Sequence, residues 1–458
     1  MDERERALRT AHRAASRFLQ TLDDRPVWPR ATLAQMEEVF GGPLQADGID
    51  ADQVVAELAE GADPGLVAIP GGRFFGFVIG GTLPAALAAD WLVSAWDQNS
   101  GSSTMTTATV ALERVAGRWI CDLLGLPSES AVGFVTGAQV SNVVCLATAQ
   151  HAVLRRVGWD ATMRGLRGAP AIRLIVGADR HGSIDRAARM CGIGSDEIVV
   201  VPADDQGRMR PEGLAAALAE APGAPTVVCL QAGEVHTGAF DPFDDVIPAA
   251  RRAGAWVHVD GAFGLWAAAS PRLERLTAGV GGADSWTTDA HKTLNVPYDC
   301  GMAIVREPAD AIAMFRTGGD YLMYASLDPW DVGPELSRRG RGVPAWAALR
   351  SLGRRGVAGL VERLHDNARR FAAGVSEVPG VEIIGDVDYT QVMFRCADDE
   401  ATRRLGAAIL ADGTAALTGA QWRGRAVIRC SMSSWATTEA DIDRTVAAID
   451  RLVSGVAV

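Results

Sequence analysis

Two residues with complementary chemistry, Asp260 and Lys292, lie thirty-two positions apart in the sequence. Asp260 follows a short apolar run, residues 255–259, that is typical of a buried β-strand, so its carboxylate is expected where a strand meets a loop. Lys292 follows His291 in a polar, turn-rich segment. A lysine amine can form a Schiff base with the aldehyde of pyridoxal 5′-phosphate (PLP), and a carboxylate can keep the pyridine nitrogen of that cofactor protonated. The pair therefore predicts a PLP site.

The segments that contain this pair are HVDGAFG and DAHKTLNVPYDCG. They resemble the PLP-dependent group II amino-acid decarboxylases, a family that includes aromatic-amino-acid, glutamate and diaminobutyrate decarboxylases. That family has HVDAA and HKW at the matching positions, and Thr293 here replaces the Trp. The resemblance implies that this part of the chain supplies five cofactor-binding residues: Lys292, Asp260, Ala262, Asp289 and His291.

Residues 133–150, GFVTGAQVSNVVCLATAQ, have the pattern of an anion-binding turn. A short apolar run meets small residues and a helix follows at once, so backbone N–H groups and the helix dipole point at one spot. Without a ligand, the same pattern is an ordinary strand-to-helix turn. In the group II family this turn usually reads T-S-G-G-S/T-E-A-N and binds the PLP phosphate. The resemblance thus implies phosphate contacts from Gly137, Ala138 and Gln139.

Three further residues acquire roles from the resemblance. His181 matches a histidine that stacks on the pyridine ring and approaches the substrate carboxylate. Glu234 stands where a cofactor-contacting Thr is usual, and we expect it to contact the cofactor. Tyr321, twenty-nine residues after Lys292, matches a loop tyrosine that protonates the substrate Cα, in the partner subunit's site. The implied catalytic residues are Lys292, Tyr321, His181 and Asp260.

Two residues are expected to contact the substrate. Arg429 stands at the position of an arginine that helps to bind the substrate carboxylate in relatives, and a guanidinium suits a carboxylate because it binds it through two N–H groups. A structural role for Arg429 is equally open. Ile79 lies in a segment with Phe77, near Trp91, that suggests an apolar wall, although a tryptophan-rich stripe is more often core.

Short apolar runs alternate with helical patterns from residue 172 onward. Such alternation predicts an α/β fold with a mainly parallel sheet, whose ligands gather at the carboxyl ends of the strands. The family resemblance makes this the fold-type-I, aspartate-aminotransferase-like architecture. The runs expected to form strands of the large sheet are residues 172–176, 198–201, 226–230, 255–259 and 302–305.

We predict three parts of the chain. Residues 1–75 contain an amphipathic helix, 4–22, which the resemblance places on the partner subunit of a homodimer with composite active sites. Residues 76–345 form the large PLP-binding domain. Residues 346–458 form a small C-terminal α+β domain, with strands near 381–384, 391–396 and 426–430.

The composition excludes several classes of protein. The 458 residues carry a formal net charge of −12, with 48% hydrophobic and 22% charged residues, which argues against a nucleic-acid or anionic-membrane partner. No run reaches the roughly 18 apolar residues of a membrane span, and the N-terminus, MDERERALRT, is too polar for a signal peptide. Seven scattered cysteines, without CxxC or zinc-ligand spacing, predict a cytoplasmic protein without a metal site.

The predicted function is decarboxylation of an L-amino acid to an amine through an external aldimine and a quinonoid. Two alternatives use the same scaffold: an oxidative decarboxylase-deaminase that forms an aldehyde, and a carbon–carbon lyase or aldolase. Aldehyde-forming relatives typically have Phe at the loop position, so Tyr321 favours the amine, while Glu234 and Gln139 keep the alternatives open. A cofactor-free scaffold is a third hypothesis, and Lys292, Asp260 and His181 argue against it.

Overall fold

The computed structural model describes residues 2–316 and 327–456. Its strands form two sheets, and α-helices cover them. The α-helices are α1 Glu3–Gln20, α2 Leu33–Phe40, α3 Ala51–Ala62, α4 Pro84–Trp96, α5 Thr107–Leu123, α6 Ala138–Arg156, α7 Ala161–Arg164, α8 Gly182–Met190, α9 Pro211–Ala219, α10 Phe243–Arg252, α11 Pro308–Phe315, α12 Gly342–Ser376, α13 Asp399–Asp412 and α14 Glu439–Val456. The strands are β1 Ala131–Val135, β2 Arg173–Gly177, β3 Ile198–Val201, β4 Thr226–Gln231, β5 Trp256–Asp260, β6 Ser285–Asp289, β7 Gly301–Val305, β8 Val381–Ile384, β9 Gln391–Cys396, β10 Thr418–Trp422 and β11 Arg425–Ser431.

The larger sheet has the strand order β1-β7-β6-β5-β4-β2-β3. Strands β2 to β6 are parallel to one another, and β7 is antiparallel to both β6 and β1. Each of the five predicted apolar runs forms one of these strands, which confirms the mainly parallel α/β sheet. Because parallel strands end at the same edge, the residues that follow β2, β4, β5 and β6 meet there.

Strand β6 is the part of this sheet that hydrophobic patterning does not indicate. Its sequence, SWTTD, is largely polar, yet all five residues are buried. Two of its hydroxyl groups find partners inside the protein: Thr287 Oγ1 lies 2.7 Å from Ser141 Oγ, and Ser285 Oγ lies 2.9 Å from His258 Nδ1. Strand β6 places Asp289 beside β5 and thereby sets the start of the segment that carries Lys292.

The smaller sheet is antiparallel, with the order β10-β11-β9-β8. Helices α12, α13 and α14 pack on it around a core that includes Phe371, Phe394 and Ile428. The three predicted C-terminal strands are present, and β10 is an additional one. The division of the chain at residues 75 and 345 stays a prediction, although the two sheets lie on either side of residue 345.

The N-terminal arm, defined here as α1 to α3, packs differently from the rest. Helix α1 lies against α3, and none of the three helices has a fully buried residue. Large apolar side chains are exposed along the arm, including Leu8 at 59%, Leu33 at 76% and Phe40 at 51%. In the described part of the chain, no helix combines the length and the apolar character that crossing a membrane requires.

Candidate active site

A cavity of about 300 Å³ opens at the carboxyl ends of the parallel strands. It brings together nine of the predicted cofactor-binding residues. The residues that line it are Phe77, Val78, Gly137, Ala138, Gln139, His181, Ser183, Gln231, Gly233, Val235, Asp260, Ala262, Phe263, Asp289, His291 and Lys292. Asp260, at the end of a strand, and Lys292, in a nearby loop, thus both line this cavity.

The segment that carries Lys292 is fixed by Asn295. The Asn295 amide nitrogen donates to the carbonyl oxygens of Lys292, Thr293 and Ser433, and its Oδ1 accepts from the backbone N–H of Gly81 at 2.7 Å. Gly80 allows the close approach, because a Cβ at that position would lie 2.1 Å from the carbonyl oxygen of Lys292. The lysine therefore sits on a rigid segment at the base of the cavity.

The Lys292 amine has one acidic partner among the described residues, Asp289. Lys292 Nζ lies 3.1 Å from Asp289 Oδ2, and Asp289 is 1% exposed. Burial alone would raise the pKa of Asp289, but the positive charge of Lys292 and the hydrogen bonds from His291 and Lys292 hold that pKa below its ordinary value. The His291 Nδ1 accepts from the backbone N–H of Cys300 at 3.2 Å, so the ring proton lies on Nε2, 3.4 Å from Asp289 Oδ2.

The N-terminus of α6 faces the same carboxylate. The backbone N–H of Ala138, the first residue of the helix, donates to Asp289 Oδ1 at 2.7 Å. Gly137 is the N-cap, and a Cβ on the neighbouring Gly301 would lie 2.4 Å from the Gly137 Cα, so both positions must be small. Gln139 Nε2 donates to the carbonyl oxygen of Ser183. This turn has the positive dipole end and the space that an anionic group requires.

Asp260 ends β5 and is 7% exposed. Three donors point at its carboxylate: Asn142 Nδ2 at 2.9 Å, Ser183 Oγ at 3.2 Å and the backbone N–H of Ala262 at 3.2 Å. A carboxylate that accepts from three donors is held in one orientation.

His181 is the N-cap of α8 and lines the mouth of the cavity. Its backbone N–H donates to Gln231 Oε1 at 3.1 Å, and its Nδ1 lies 2.8 Å from Ser183 Oγ. Ser183 thus links His181 to Asp260. An amine, a carboxylate, an imidazole and a helix N-terminus converge on one cavity, and this donor set fits PLP.

Glu234 does not line the cavity. Its carboxylate accepts from the backbone N–H groups of His236 at 2.6 Å and Thr237 at 2.7 Å, and from His236 Nδ1 at 2.7 Å, so it stabilises its own turn. Val235, the next residue, faces the cavity instead. Contact between Glu234 and the cofactor stays a prediction, and local backbone donors already satisfy this carboxylate.

The two residues expected to bind substrate also lie off the cavity lining. Arg429 is on β11, and its Nε and Nη2 are buried without a hydrogen-bond partner among the described residues. Burial lowers the pKa of Arg429, and the nearby Glu234 carboxylate opposes that effect. Ile79 packs against Val27 and Phe74. Tyr321 lies outside the described residues.

The cavity is lined by Val78, which the sequence patterns did not single out, beside Phe77. Phe77 and Val78 precede Ile79 and have positive φ angles of 65° and 92°. Such values are uncommon for side-chain-bearing residues and strained for a β-branched one. Asn142, the last residue of the turn motif, contacts Asp260.

Lys292 is also the only lysine in the 458 residues. Apart from the N-terminal amino group, the chain therefore has a single primary amine, and it lies in the cavity. A residue count alone would have strengthened the assignment of Lys292. No group of three or more His, Cys, Asp or Glu side chains in residues 2–316 and 327–456 is arranged to hold a metal ion.

His258, which is fully buried, is expected to make the stability of the protein depend on pH in the acid range. Burial lowers the pKa of His258 from its ordinary 6.5 to about 4, and the Asp260 charge offsets only part of this. Because the pKa of His258 is lower in the folded state than in the unfolded state, the neutral buried ring contributes stability above pH 6.5. That contribution to the free energy of unfolding is lost as the pH falls toward 4. We expect His258→Gln to lose less unfolding free energy than wild type between pH 7 and pH 5, measured by urea unfolding. The exposed His12→Gln should behave as wild type, and equal losses for all three proteins would contradict this role of His258.

Three comparisons with known proteins identify the family and the fold of this chain. Residues 36–397 match the family model for the pyridoxal-dependent decarboxylase conserved domain. The chain is 27% identical over 452 residues to 4-hydroxyphenylacetaldehyde synthase of Rhodiola rosea, covering 93% of this chain and 90% of that protein. It is 29% identical over 386 residues to L-2,4-diaminobutyrate decarboxylase of Rhizobium meliloti (strain 1021), covering 80% and 74%. The crystal structure of Oryza sativa TDC with PLP and tryptamine shares the fold, with a TM-score of 0.93 at 23% identity over 99% of this chain and 98% of that one.

Proposed function

The chain belongs to the pyridoxal-dependent decarboxylase family and is thus a PLP-dependent amino-acid decarboxylase of fold type I, and on that premise we propose that its product is the amine. The observation that carries the proposal is the position of the sole lysine, Lys292, in a cavity with Asp260 and His181. When bound, PLP withdraws electrons from the bonds to the substrate Cα. Lys292 would hold the aldehyde of the cofactor, Asp260 its ring nitrogen and the turn at Gly137 its phosphate.

Each of these residues has a role that its surroundings support. The three donors on Asp260 orient the carboxylate, which keeps a proton on a nearby ring nitrogen. The imidazole of His181, oriented through Ser183, is proposed to approach the substrate carboxylate. We propose that Arg429 binds the substrate carboxylate. We also propose that the segment of Ile79, with Phe77 and Val78 beside it, contacts the substrate side chain. The proposal is tested by screening the proteinogenic amino acids for CO2 release and identifying the product.

A second candidate product is an aldehyde, because one relative is named 4-hydroxyphenylacetaldehyde synthase. Oxidation of this kind consumes O2 and water and releases CO2, ammonia and hydrogen peroxide together with the aldehyde. We propose that Tyr321 prevents it, since a phenol that delivers a proton to Cα leaves no electron pair there for oxygen. An oxygen electrode distinguishes the two activities, because amine formation consumes no oxygen.

We expect Tyr321→Phe to shift the product from amine toward aldehyde, while CO2 release continues. The hydroxyl is needed for the proton that follows CO2 loss and not for the loss itself. Mass spectrometry of the products, in air and under nitrogen, measures the ratio. The matched control is Tyr298→Phe, at an exposed tyrosine that does not line the cavity. Stoichiometric aldehyde and oxygen uptake from the wild type would overturn the amine proposal in favour of the oxidative one.

We also propose that the functional unit is a homodimer with composite sites. The N-terminal arm supports this, because its exposed apolar side chains gain stability if a second copy covers them. Residues 1–75 would then form the arm, 76–345 the PLP-binding domain and 346–458 the small domain. The seven cysteines are free and buried, which supports a reducing cytoplasm as the compartment.

Composite sites predict complementation between two defective chains. We expect Lys292→Ala chains mixed with Tyr321→Phe chains to recover amine formation, because each mixed dimer contains one site with an intact Lys292 and an intact Tyr321. The measurement is amine yield after subunit exchange, with mixed dimers verified by native mass spectrometry. The control mixes Lys292→Ala with Asp260→Asn, two changes within the same site, which should give no excess over the Asp260→Asn chain alone. If confirmed mixed dimers recover nothing, Tyr321 serves the site of its own subunit.

A further inference from the structure

A chain of buried polar side chains leads from Asp260 to Trp256. Asn142 Nδ2 lies 2.9 Å from Asp260 Oδ2, and Asn142 Oδ1 lies 3.0 Å from His258 Nε2. His258 Nδ1 lies 2.9 Å from Ser285 Oγ, which lies 2.9 Å from Trp256 Nε1. All five residues are at most 7% exposed, so water does not compete for these bonds. Asp260 lines the cavity, and the other four lie behind it.

The hydrogen bonds of this chain can be assigned one direction, beginning at Trp256. An indole N–H can only donate, so Ser285 Oγ accepts from it and is free to donate its own proton to His258 Nδ1. His258 then carries its ring proton on Nε2 and donates it to Asn142 Oδ1. The Asn142 amide is thereby turned so that its NH2 group faces Asp260.

The opposite end of the chain agrees with this direction. The Asp260 carboxylate can only accept when it is ionised, so it pairs with the Asn142 NH2 group and would be repelled by the amide oxygen. Burial keeps His258 neutral at pH 7, since its pKa falls to about 4, and a neutral imidazole has one donor and one acceptor nitrogen. Trp256, whose indole can only donate, and Asp260, whose carboxylate can only accept, are thus the two ends of a chain in which all hydrogen bonds run in one direction.

We propose that Trp256, Ser285, His258 and Asn142 are positioning residues that hold the carboxylate of Asp260 in the orientation needed to bind the ring nitrogen of PLP. This inference rests on the proposed role of Asp260. None of the four touches the cavity, so their effect reaches the cofactor through Asp260. Without the Trp256 donor, Ser285 Oγ loses one of its two partners and can rotate, so the His258 ring and, through Asn142, the Asp260 carboxylate are held less firmly.

The first test measures the dissociation constant of PLP by spectral titration of the full chain freed of cofactor. We expect Trp256→Phe and Ser285→Ala to raise it about tenfold, as expected for one lost hydrogen bond to a charged group. The matched control is Trp286→Phe on the adjacent strand, because Trp286 is equally buried and donates its indole N–H to the carbonyl oxygen of Val280 at 3.0 Å. The dissociation constant of PLP for Trp286→Phe should stay within about twofold of the wild-type value. The indole of Trp286 bonds to Val280 and not to any of the four positioning residues, so its loss should not affect Asp260.

A double-mutant cycle separates positioning from general destabilisation. In an Asp260→Asn background, the Trp256→Phe effect should largely disappear, because two facing amides can pair in either direction. If Trp256→Phe weakens PLP binding equally in both backgrounds, or no more than Trp286→Phe does, the inference is wrong. If Asp260→Asn itself leaves PLP affinity and turnover unchanged, the proposed role of Asp260 fails instead. Should Trp256→Phe not fold, Ser285→Ala takes its place in the same cycle.

A second readout does not involve the cofactor. Long-range ¹H–¹⁵N spectra of the full chain with ¹⁵N-labelled histidine report which ring nitrogen carries the proton, and His258→Gln assigns the signal among the seven histidines. We expect His258 to be protonated on Nε2 in the wild type, in Trp286→Phe and in Trp256→Phe, because the Asp260 carboxylate fixes the direction of the chain in all three. A His258 ring protonated on Nδ1 in the wild type would overturn the directed chain.

Discussion

Replacement of Lys292 by alanine is expected to abolish covalent attachment of PLP and to lower the decarboxylation rate by about 10²–10⁴-fold, the usual contribution of a positioned acid–base group. The amine lies 3.1 Å from Asp289 and is the only lysine amine in the chain. The measurements are intact mass after borohydride reduction in the presence of PLP, and CO2 release. Wild type should gain one cofactor per chain, and Lys292→Ala none.

The absence of other lysines makes this experiment unusually direct. Only the N-terminal amino group could react in place of Lys292, and peptide mapping separates the two. The control is Asp289→Asn, which removes the ionic partner of Lys292 while leaving the amine in place, and which should still be labelled by borohydride. Reduced PLP on the Lys292→Ala chain, at any position other than the N-terminus, would contradict the assignment.

Asp260→Asn is expected to have the second-largest effect. Breaking an ion pair to a buried cation costs about 3–5 kcal/mol, and each 1.36 kcal/mol corresponds to a factor of ten in rate. We therefore expect turnover to fall by about two to four orders of magnitude. The fold should persist, because the amide oxygen of the substituted side chain can still accept from Asn142 or Ser183. The measurement is the rate of CO2 release with saturating PLP.

The matched control for Asp260→Asn is Asp284→Asn. Asp284 is also buried, accepts from the backbone N–H of Val257 at 2.8 Å and does not line the cavity. The same chemical change there should leave turnover within about threefold of wild type, since a residue off the reaction path affects rate only through stability. An Asp260→Asn enzyme within threefold of wild type would remove Asp260 from the proposed site.

Much of the fold and of the site could be predicted from local sequence. A buried strand is a short apolar run, so four parallel strands of the large sheet and their carboxyl ends were recognisable, and with them the position of Asp260. Lys292 and the turn at Gly137 were recognisable because their motifs are contiguous. Strand β6 was missed because its polar residues are buried through hydroxyl partners that lie far away in sequence, such as Ser141 for Thr287.

Local hydrogen bonding also decides how the Glu234 side chain is oriented. Glu234 was expected at the cofactor because of its position in a motif, but its carboxylate is satisfied by the backbone N–H groups two and three residues ahead. Whether a side chain points into a cavity or back onto its own turn depends on which donors the folded backbone offers. The position of a residue in a motif does not show which way its side chain points. In this protein Val235 lines the cavity and Glu234 does not.

The sequence alone determined which chemical groups the site contains: one lysine, a strand-end aspartate and a small-residue turn before a helix. Only the tertiary structure decided how those groups are oriented. Asn142 meets Asp260 across 118 positions, and His258 meets Ser285 across 27. The direction of hydrogen bonds along this chain depends on a donor-only indole and an acceptor-only carboxylate of β5 that side chains from α6 and β6 connect.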